Sequence, residues 1–126
     1  MSGKILYIED NLGNRMLVRR ILEAEGYSLT EAPDGPTGLD LAGQEQFDLI
    51  LLDINLPEID GYDLAKRMRT MSNLDSVPIL AVTANVMQGD KERTLEAGCD
   101  GFIPKPIDVD KLPEQIQTAL DKGRVS

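Results

Sequence analysis

The sequence predicts an α/β fold in which one parallel five-stranded sheet is doubly wound and flanked by five helices. Three observations support this. The run Leu49-Ile50-Leu51-Leu52 is aliphatic throughout and bounded by Asp48 and Asp53. So short an unbroken run reads as a strand buried on both faces, the habit of central strands in parallel sheets covered by helices. Segments of this kind alternate along the chain with segments whose apolar residues recur at helical spacing, which implies strand–helix–strand units. No linker, repeat or low-complexity stretch interrupts the 126 residues, so 1–126 reads as one domain.

The first strand is Lys4 to Ile8, ending in Glu9-Asp10-Asn11. A helix follows from Asn14 to Glu25, with Leu17, Val18, Ile21 and Leu22 at helical spacing and Gly26 placed to stop it. Tyr27 to Glu31 is a weaker second strand. Asp34-Gly35 turns the chain into a helix over Pro36 to Gln44, which carries Leu39, Leu41 and Ala42. The central strand ends at Asp53, before a loop containing Pro57. Asp60 is the N-cap of a third helix, Gly61 to Met71, with Leu64, Ala65 and Met68 as its inner stripe. Ser72 to Ser76 is polar and reads as a loop. Val77 to Val82 is the fourth strand, stopping at Thr83-Ala84-Asn85, with Pro78 tolerated near its start. The fourth helix, Gly89 to Ala97, has a thin apolar stripe and many charges, so it should be the least firmly packed. Gly101 to Ile103 is the last strand, followed by Pro104-Lys105-Pro106. In the final helix Leu112, Ile116 and Leu120 recur four apart, and Pro113 sets its regular start near Leu112, after a leading turn from Asp108 to Lys111. Right-handed crossovers between these strands give a three-layer α/β/α arrangement of the flavodoxin-like type.

Composition removes several functions. A hydrophobic share of 41% and a charged share of 28% are ordinary for a soluble globular domain. The net charge of −9 gives no electrostatic hold on a phosphate backbone, so no direct nucleic-acid binding is expected. No apolar run approaches the about 20 residues of a membrane-spanning helix, and Met1 to Lys4 lead straight into a strand with no signal-peptide pattern. No membrane role is expected. Cys99 is the only cysteine, which suits a reducing, cytoplasmic setting. The absence of histidine excludes a His-based triad, a His-ligated zinc and a phosphohistidine carrier. No Gly-rich loop followed by Lys-Ser/Thr offers a Walker-type nucleotide site.

The strand ends carry the chemistry. In a parallel sheet the carboxyl ends share one edge, where ligands bind. The first strand delivers Glu9 and Asp10 there, the third Asp53, the fourth Thr83 and the fifth Lys105. Singly, each has a plainer use: Glu9 or Asp10 as a helix cap, Thr83 as a cap of its own loop, Lys105 as a solvated cation. Together they make a shared site. Two carboxylates about 4 Å apart at an effective dielectric of about 20 repel by roughly 4 kcal/mol. Either one carboxyl stays protonated or a cation sits among them; one lysine does not balance three acids, and a hard divalent cation with oxygen ligands is the natural complement. A carboxylate beside a metal, a lysine and a hydroxyl is equipped to attack a phosphoryl group, a reaction governed by positioning and charge neutralisation.

Ile8-Glu9-Asp10-Asn11, Leu51-Leu52-Asp53-Ile54-Asn55-Leu56-Pro57, Val82-Thr83-Ala84 and Lys105-Pro106 resemble the motifs of response-regulator receiver domains of two-component signalling. The resemblance covers Lys4 to about Leu120 and is strongest to stand-alone receivers of phosphorelay or cell-cycle type and to receivers of hybrid kinases. It implies that Asp53 is the phospho-acceptor, phosphorylated by a sensor histidine kinase or a histidine phosphotransfer protein. It further implies Mg2+, with Mn2+ as an alternative, bound by Asp10 and Asp53 directly, by Glu9 through water and by the backbone carbonyl of Asn55. Many members carry Asp where Glu9 stands, and the longer side chain is a common variant. Lys105 would pair with Asp53 and then, with Thr83 and Ala84, stabilise the phosphoryl group. Lys105-Pro106 resembles the family's cis bond. Thr83 and Phe102 match its switch pair, through which the surface of the fourth helix, last strand and last helix changes for a downstream protein target. Asn55 and Asn85 are placed to tune dephosphorylation, and a homodimer is left open.

Other readings share some of these parts. A haloacid-dehalogenase-like phosphatase also uses Asp, Mg2+, Thr and Lys, but wants a general acid where Asn55 stands. A flavin carrier of similar fold needs a hydroxyl-rich loop after the first strand, and this chain has two carboxylates there. A receiver acting as a phosphorylation-independent binding module, an ordinary core role for Phe102, and a receiver excised from a hybrid kinase or larger regulator also remain. No output domain is expected within 1–126.

Overall fold

Short apolar runs separated by polar, well-capped segments leave the chain little choice but to stack strands in one sheet and lay helices over them. The computed structural model describes residues 3–84 and 88–123. The elements are β1 (Lys4–Ile8), α1 (Leu12–Ala24), β2 (Ser28–Ala32), α2 (Gly35–Gln44), β3 (Leu49–Asp53), α3 (Gly61–Arg69), a 3-10 turn (Ser72–Leu74), β4 (Ile79–Thr83), α4 (Gln88–Glu96), β5 (Gly101–Pro104) and α5 (Leu112–Lys122). The five strands form one sheet in the order β2-β1-β3-β4-β5, every neighbouring pair parallel, as the doubly wound reading expects.

Strand alternation sorts the core into two layers. Leu6, Ile8, Ile50, Leu52, Ile79 and Ala81 face α2, α3 and the end of α4. Ile5, Tyr7, Leu49, Leu51, Leu80, Val82 and Ile103 face α1 and α5, meeting Val18, Leu22, Leu112 and Ile116. β3 and β4 are buried at every residue. Each fully buried Leu or Ile contributes about 1.5–3 kcal/mol relative to an exposed one, so these two strands fix the register of the rest. Among the described residues no helix is long and apolar enough to cross a membrane.

The departures from the sequence reading are local. Leu17 is 38% exposed, so the inner stripe of α1 is Val18 and Leu22, with Ile21 only partly buried. Ser72 to Ser76 is not plain loop: it opens with the 3-10 turn, and Leu74 is fully buried beneath it. α3 stops at Arg69, where the Thr70 amide turns back to the Arg67 and Met68 carbonyls. Arg69 Nε donates to Gly98 O (2.8 Å), Nη1 to Leu74 O (2.8 Å) and Nη2 to Asp100 Oδ2 (2.7 Å). Asp100 Oδ2 also accepts from Ile79 N (2.9 Å). One guanidinium thus ties the end of α3, the 3-10 turn and the start of β5 together. β4 begins at Ile79, after Pro78, whose carbonyl accepts from Ile50 N.

Among the described side chains of α4, residues 91–96, few are buried. Thr94 is its buried residue among those described, Leu95 is exposed, and Ala97 and Cys99 anchor the chain just beyond it. Arg93 lies 4.4 Å from the Tyr62 ring centroid, a cation–π contact joining α4 to the start of α3.

The loop leaving β3 is pressed against α3. Gly61 N donates to Ile54 O (3.2 Å), and a Cβ on Gly61 would sit 2.4 Å from Ile54 Cα. Backbone cannot yield as a side-chain tip can. Gly61→Ala should therefore destabilise the fold by about 1–3 kcal/mol in urea unfolding, the cost of overpacking a tight site. An unchanged midpoint would contradict this close approach.

Candidate functional site

Strand parity decides what projects beyond the carboxyl edge. Tyr7 and Glu9, Leu51 and Asp53, Ile103 and Lys105 each follow the α1/α5 face, so the two acids and the lysine emerge on the same side. Glu9 and Asp53 are each 1% exposed, while Asp10 is exposed. Lys105 Nζ lies 3.1 Å from Asp53 Oδ1 and 3.3 Å from Glu9 Oε1. Glu9, Asp10 and Asp53 each offer an oxygen within 4.8 Å of the others. The acids of β1 and β3 thus meet at the rim, with the lysine of β5 facing them. They are not the caps of α1, because Asn11 takes that role, its Oδ1 accepting from Asn14 N (2.8 Å).

Each member is held by its neighbours. Glu9 Oε1 accepts from Tyr7 Oη (3.2 Å) and Asn14 Nδ2 (3.0 Å), and Arg15 Nη1 holds the Glu9 carbonyl (2.7 Å). Asp53 Oδ1 accepts from Asn55 N (2.9 Å); Asn55 itself is exposed. Lys105 N donates to Thr83 O (2.8 Å), which ties the lysine to the end of β4. The Lys105–Pro106 bond is cis. Burial pulls the Lys105 pKa down, but the Asp53 carboxylate and then Glu9 outweigh it, and the ammonium is held above its ordinary value. Burial first, and then the Glu9 charge, push the Tyr7 phenol well up, so it remains a proton donor. Cys99, whose thiol burial pushes up to about 12, is no nucleophile.

Thr83 is buried and Ala84 exposed; Ala84, Asn14, Lys105, Pro106 and Ile107 line a pocket of about 340 Å³ beside the acids. Phe102 pairs in register with Ala81 and packs, half-buried, against the α2/α3 layer. Thr83 lies two residues beyond Ala81, so Thr83 and Phe102 share that face of the sheet. Phe102 also lines a groove of about 490 Å³ along α5 with Lys111, Gln115 and Ala119. Asn85 lies outside the described residues.

Three carboxylates against one ammonium leave a cluster of negative charge at the rim, with Asp10 open to solvent. An all-oxygen donor set of this charge fits a hard divalent ion such as magnesium, which retains waters and needs few protein ligands. The sequence reading missed Tyr7, Asn14 and Arg15, and it gave Lys105 only one partner. Spacing could have found Tyr7: residues i and i+2 of a strand share a face, so the phenol of Tyr7 points with Glu9. Asn14 and Arg15 need the placement of α1.

Comparison with known proteins agrees with this geometry. The family model for the response regulator receiver domain matches residues 5–117. The polar-differentiation response regulator DivK of Brucella ovis is 40% identical over 120 residues, covering 95% of this chain and 98% of that protein. The chemotaxis response regulator CheY4 of Vibrio cholerae superposes with a TM-score of 0.89 at 29% identity, over 94% of this chain and 98% of its own. The receiver domain of a sensor histidine kinase from Pseudomonas aeruginosa, with a magnesium ion coordinated in its active-site cleft, gives 0.86 at 35% identity, covering 96% and 99%. A family match running from β1 into α5, and relatives alike over nearly their whole length, make this chain a member of the response regulator receiver domain family.

Proposed function

We propose that this chain accepts a phosphoryl group on Asp53 from a phosphohistidine of a sensor kinase or phosphotransfer protein, and that phosphorylation changes the surface of α4, β5 and α5 for a downstream protein. Domains of this family are signalling modules that interact with kinases and downstream targets. The observation that carries the reading is the placement of Lys105 Nζ 3.1 Å from Asp53 Oδ1, in a cluster whose three acids approach within 4.8 Å. Glu9, Asp10 and Asp53, with the Asn55 carbonyl, would hold Mg2+ or, as an alternative, Mn2+. When bound, the cation offsets the negative charge shared by the acids and the incoming phosphoryl oxygens. The magnesium in the cleft of the Pseudomonas aeruginosa receiver supports this assignment.

The chemistry follows from what each side chain can do. The Asp53 carboxylate forms a P–O bond as the P–N bond to the donor imidazole breaks, and that bond's electron pair returns to the imidazole nitrogen. Lys105, held charged between Glu9 and Asp53, follows the phosphoryl oxygens. The Thr83 hydroxyl and the Ala84 backbone amide donate to them. A phosphoryl group brings about −1.5 to −2 charge to the rim. Thr83 and Phe102, on one sheet face, can pass that change to α4, whose packing is thin. Asn55 is no general acid, so the haloacid-dehalogenase-like reading loses its leaving-group step.

The test is direct. Acetyl phosphate with Mg2+ should add one phosphoryl mass to the wild type, and Asp53→Asn should abolish it. A hydroxylamine-sensitive adduct of equal yield in the variant would move the acceptor elsewhere, and a wild type that takes no phosphoryl group would favour a phosphorylation-independent binding module. The charge argument gives a second expectation. In EDTA, Asp10→Asn should melt above the wild type, because one of three mutually repelling acids is gone. Saturating Mg2+ should reverse the order, since a ligand at about 100 times its Kd stabilises by about 2.7 kcal/mol. A variant that melts lower in EDTA would contradict the repulsion.

A further inference from the structure

We propose that Tyr7 is a positioning residue for the divalent cation: its buried hydroxyl, with the side-chain amide of Asn14, engages Glu9 Oε1 and leaves Oε2 to face the ion beside Asp10 and Asp53. The inference rests on the phosphoryl-acceptor reading and adds to it a residue that lies in the core rather than at the rim.

Tyr7 has no exposed surface and lies in the apolar layer with Val18, Leu22, Leu49 and Leu51. A phenol there needs a polar partner, and aliphatic residues supply none. Its partner is Glu9 Oε1 at 3.2 Å, and because a carboxylate only accepts, Tyr7 is the donor. Asn14 Nδ2 reaches the same oxygen at 3.0 Å, from the first turn of α1. Lys105 Nζ is the third contact, at 3.3 Å. Glu9 Oε2 meets Asn11 N at 3.4 Å, a long contact that leaves this oxygen available.

The two oxygens of Glu9 are therefore unequal. Oε1 is anchored from below by the core and from the side by α1, while Oε2, held only by the long Asn11 amide contact, can face a cation directly or through water. A longer side chain than aspartate has one more rotatable bond to fix, and Tyr7 and Asn14 supply that restraint. The restraint does not depend on the lysine. Lys105 is shared with Asp53, and when it follows a phosphoryl group Tyr7 and Asn14 keep Glu9 in place. Residues that orient a metal ligand typically change metal affinity by about 10- to 100-fold when altered.

The experiment compares Mg2+ binding by calorimetry in the wild type, Tyr7→Phe and Asn14→Ala. Phenylalanine keeps the shape of the core and removes only the donor. Both variants should bind Mg2+ about tenfold more weakly, and the Mg2+ concentration for half-maximal phosphorylation by acetyl phosphate should rise by the same factor, with the rate at saturating Mg2+ nearly unchanged. The chain has no tryptophan, so a near-ultraviolet tyrosine difference spectrum gives a second readout. Mg2+ should perturb it in the wild type, in Tyr27→Phe and in Tyr62→Phe, and not in Tyr7→Phe. Wild-type affinity in Tyr7→Phe overturns the inference alone; should that variant fail to fold, wild-type affinity in Asn14→Ala does so. A wild type that neither binds Mg2+ nor is phosphorylated overturns the acceptor reading and this inference with it.

Discussion

The shared ammonium of Lys105 is the contact on which this structure turns. Two carboxylates from neighbouring strands, Glu9 and Asp53, are both almost wholly removed from water at the rim of the sheet. A buried, unpaired charge costs several kcal/mol. The lysine lies within 3.3 Å of both, and it does so because β5 pairs with β4 and its next residue hydrogen-bonds to Thr83. The order of the sheet is thus tied to the electrostatics of its edge. Even so, one cation does not neutralise three acids, and the residual charge is what makes the rim receptive to a divalent ion.

Around that edge the molecule is stiff in some places and loose in others. β3 and β4 are fully buried, and Arg69 clamps the opposite end of the sheet through Asp100, whose side chain is only 3% exposed. A Cβ on Gly98 would lie 2.5 Å from Arg69 Cγ, and the positive φ of 99° there suits glycine as well, so the clamp and the end of α4 fit together closely. By contrast, among the described side chains of α4 only Thr94 is buried, and Arg93 reaches α3 through the Tyr62 ring and its N-cap Asp60. An element with few buried contacts is the kind that shifts when a charge is added nearby.

How much of this was legible in the sequence follows from how local each signal is. The strands and their order of burial were readable because an unbroken apolar run such as Leu49 to Leu52 has few alternatives. The convergence of Glu9, Asp10, Asp53 and Lys105 was readable because parallel strands place all their carboxyl ends on one edge, whatever the details. Tyr7 is legible only in part: its shared face with Glu9 is in the spacing, but an aromatic ring in a buried strand looks like ordinary core until its hydroxyl is placed. Leu17 was misplaced by one position of helix rotation, which spacing cannot resolve when four apolar residues crowd one helix. Arg69 was invisible for a different reason. Two of its three acceptors, on Gly98 and Asp100, lie on a segment distant in sequence, and two of the three are backbone carbonyls, which no residue type announces.

The central question for this site is which carboxylate takes the phosphoryl group. Reducing the acyl phosphate with sodium borodeuteride converts the acceptor aspartate to deuterated homoserine, which peptide mass spectrometry can locate. Label is expected at residue 53 alone, formed with Mg2+ and lost in EDTA. Label at residue 9 or 10, or equal labelling at residue 53 without a divalent ion, would overturn the assignment of Asp53 as the metal-dependent acceptor.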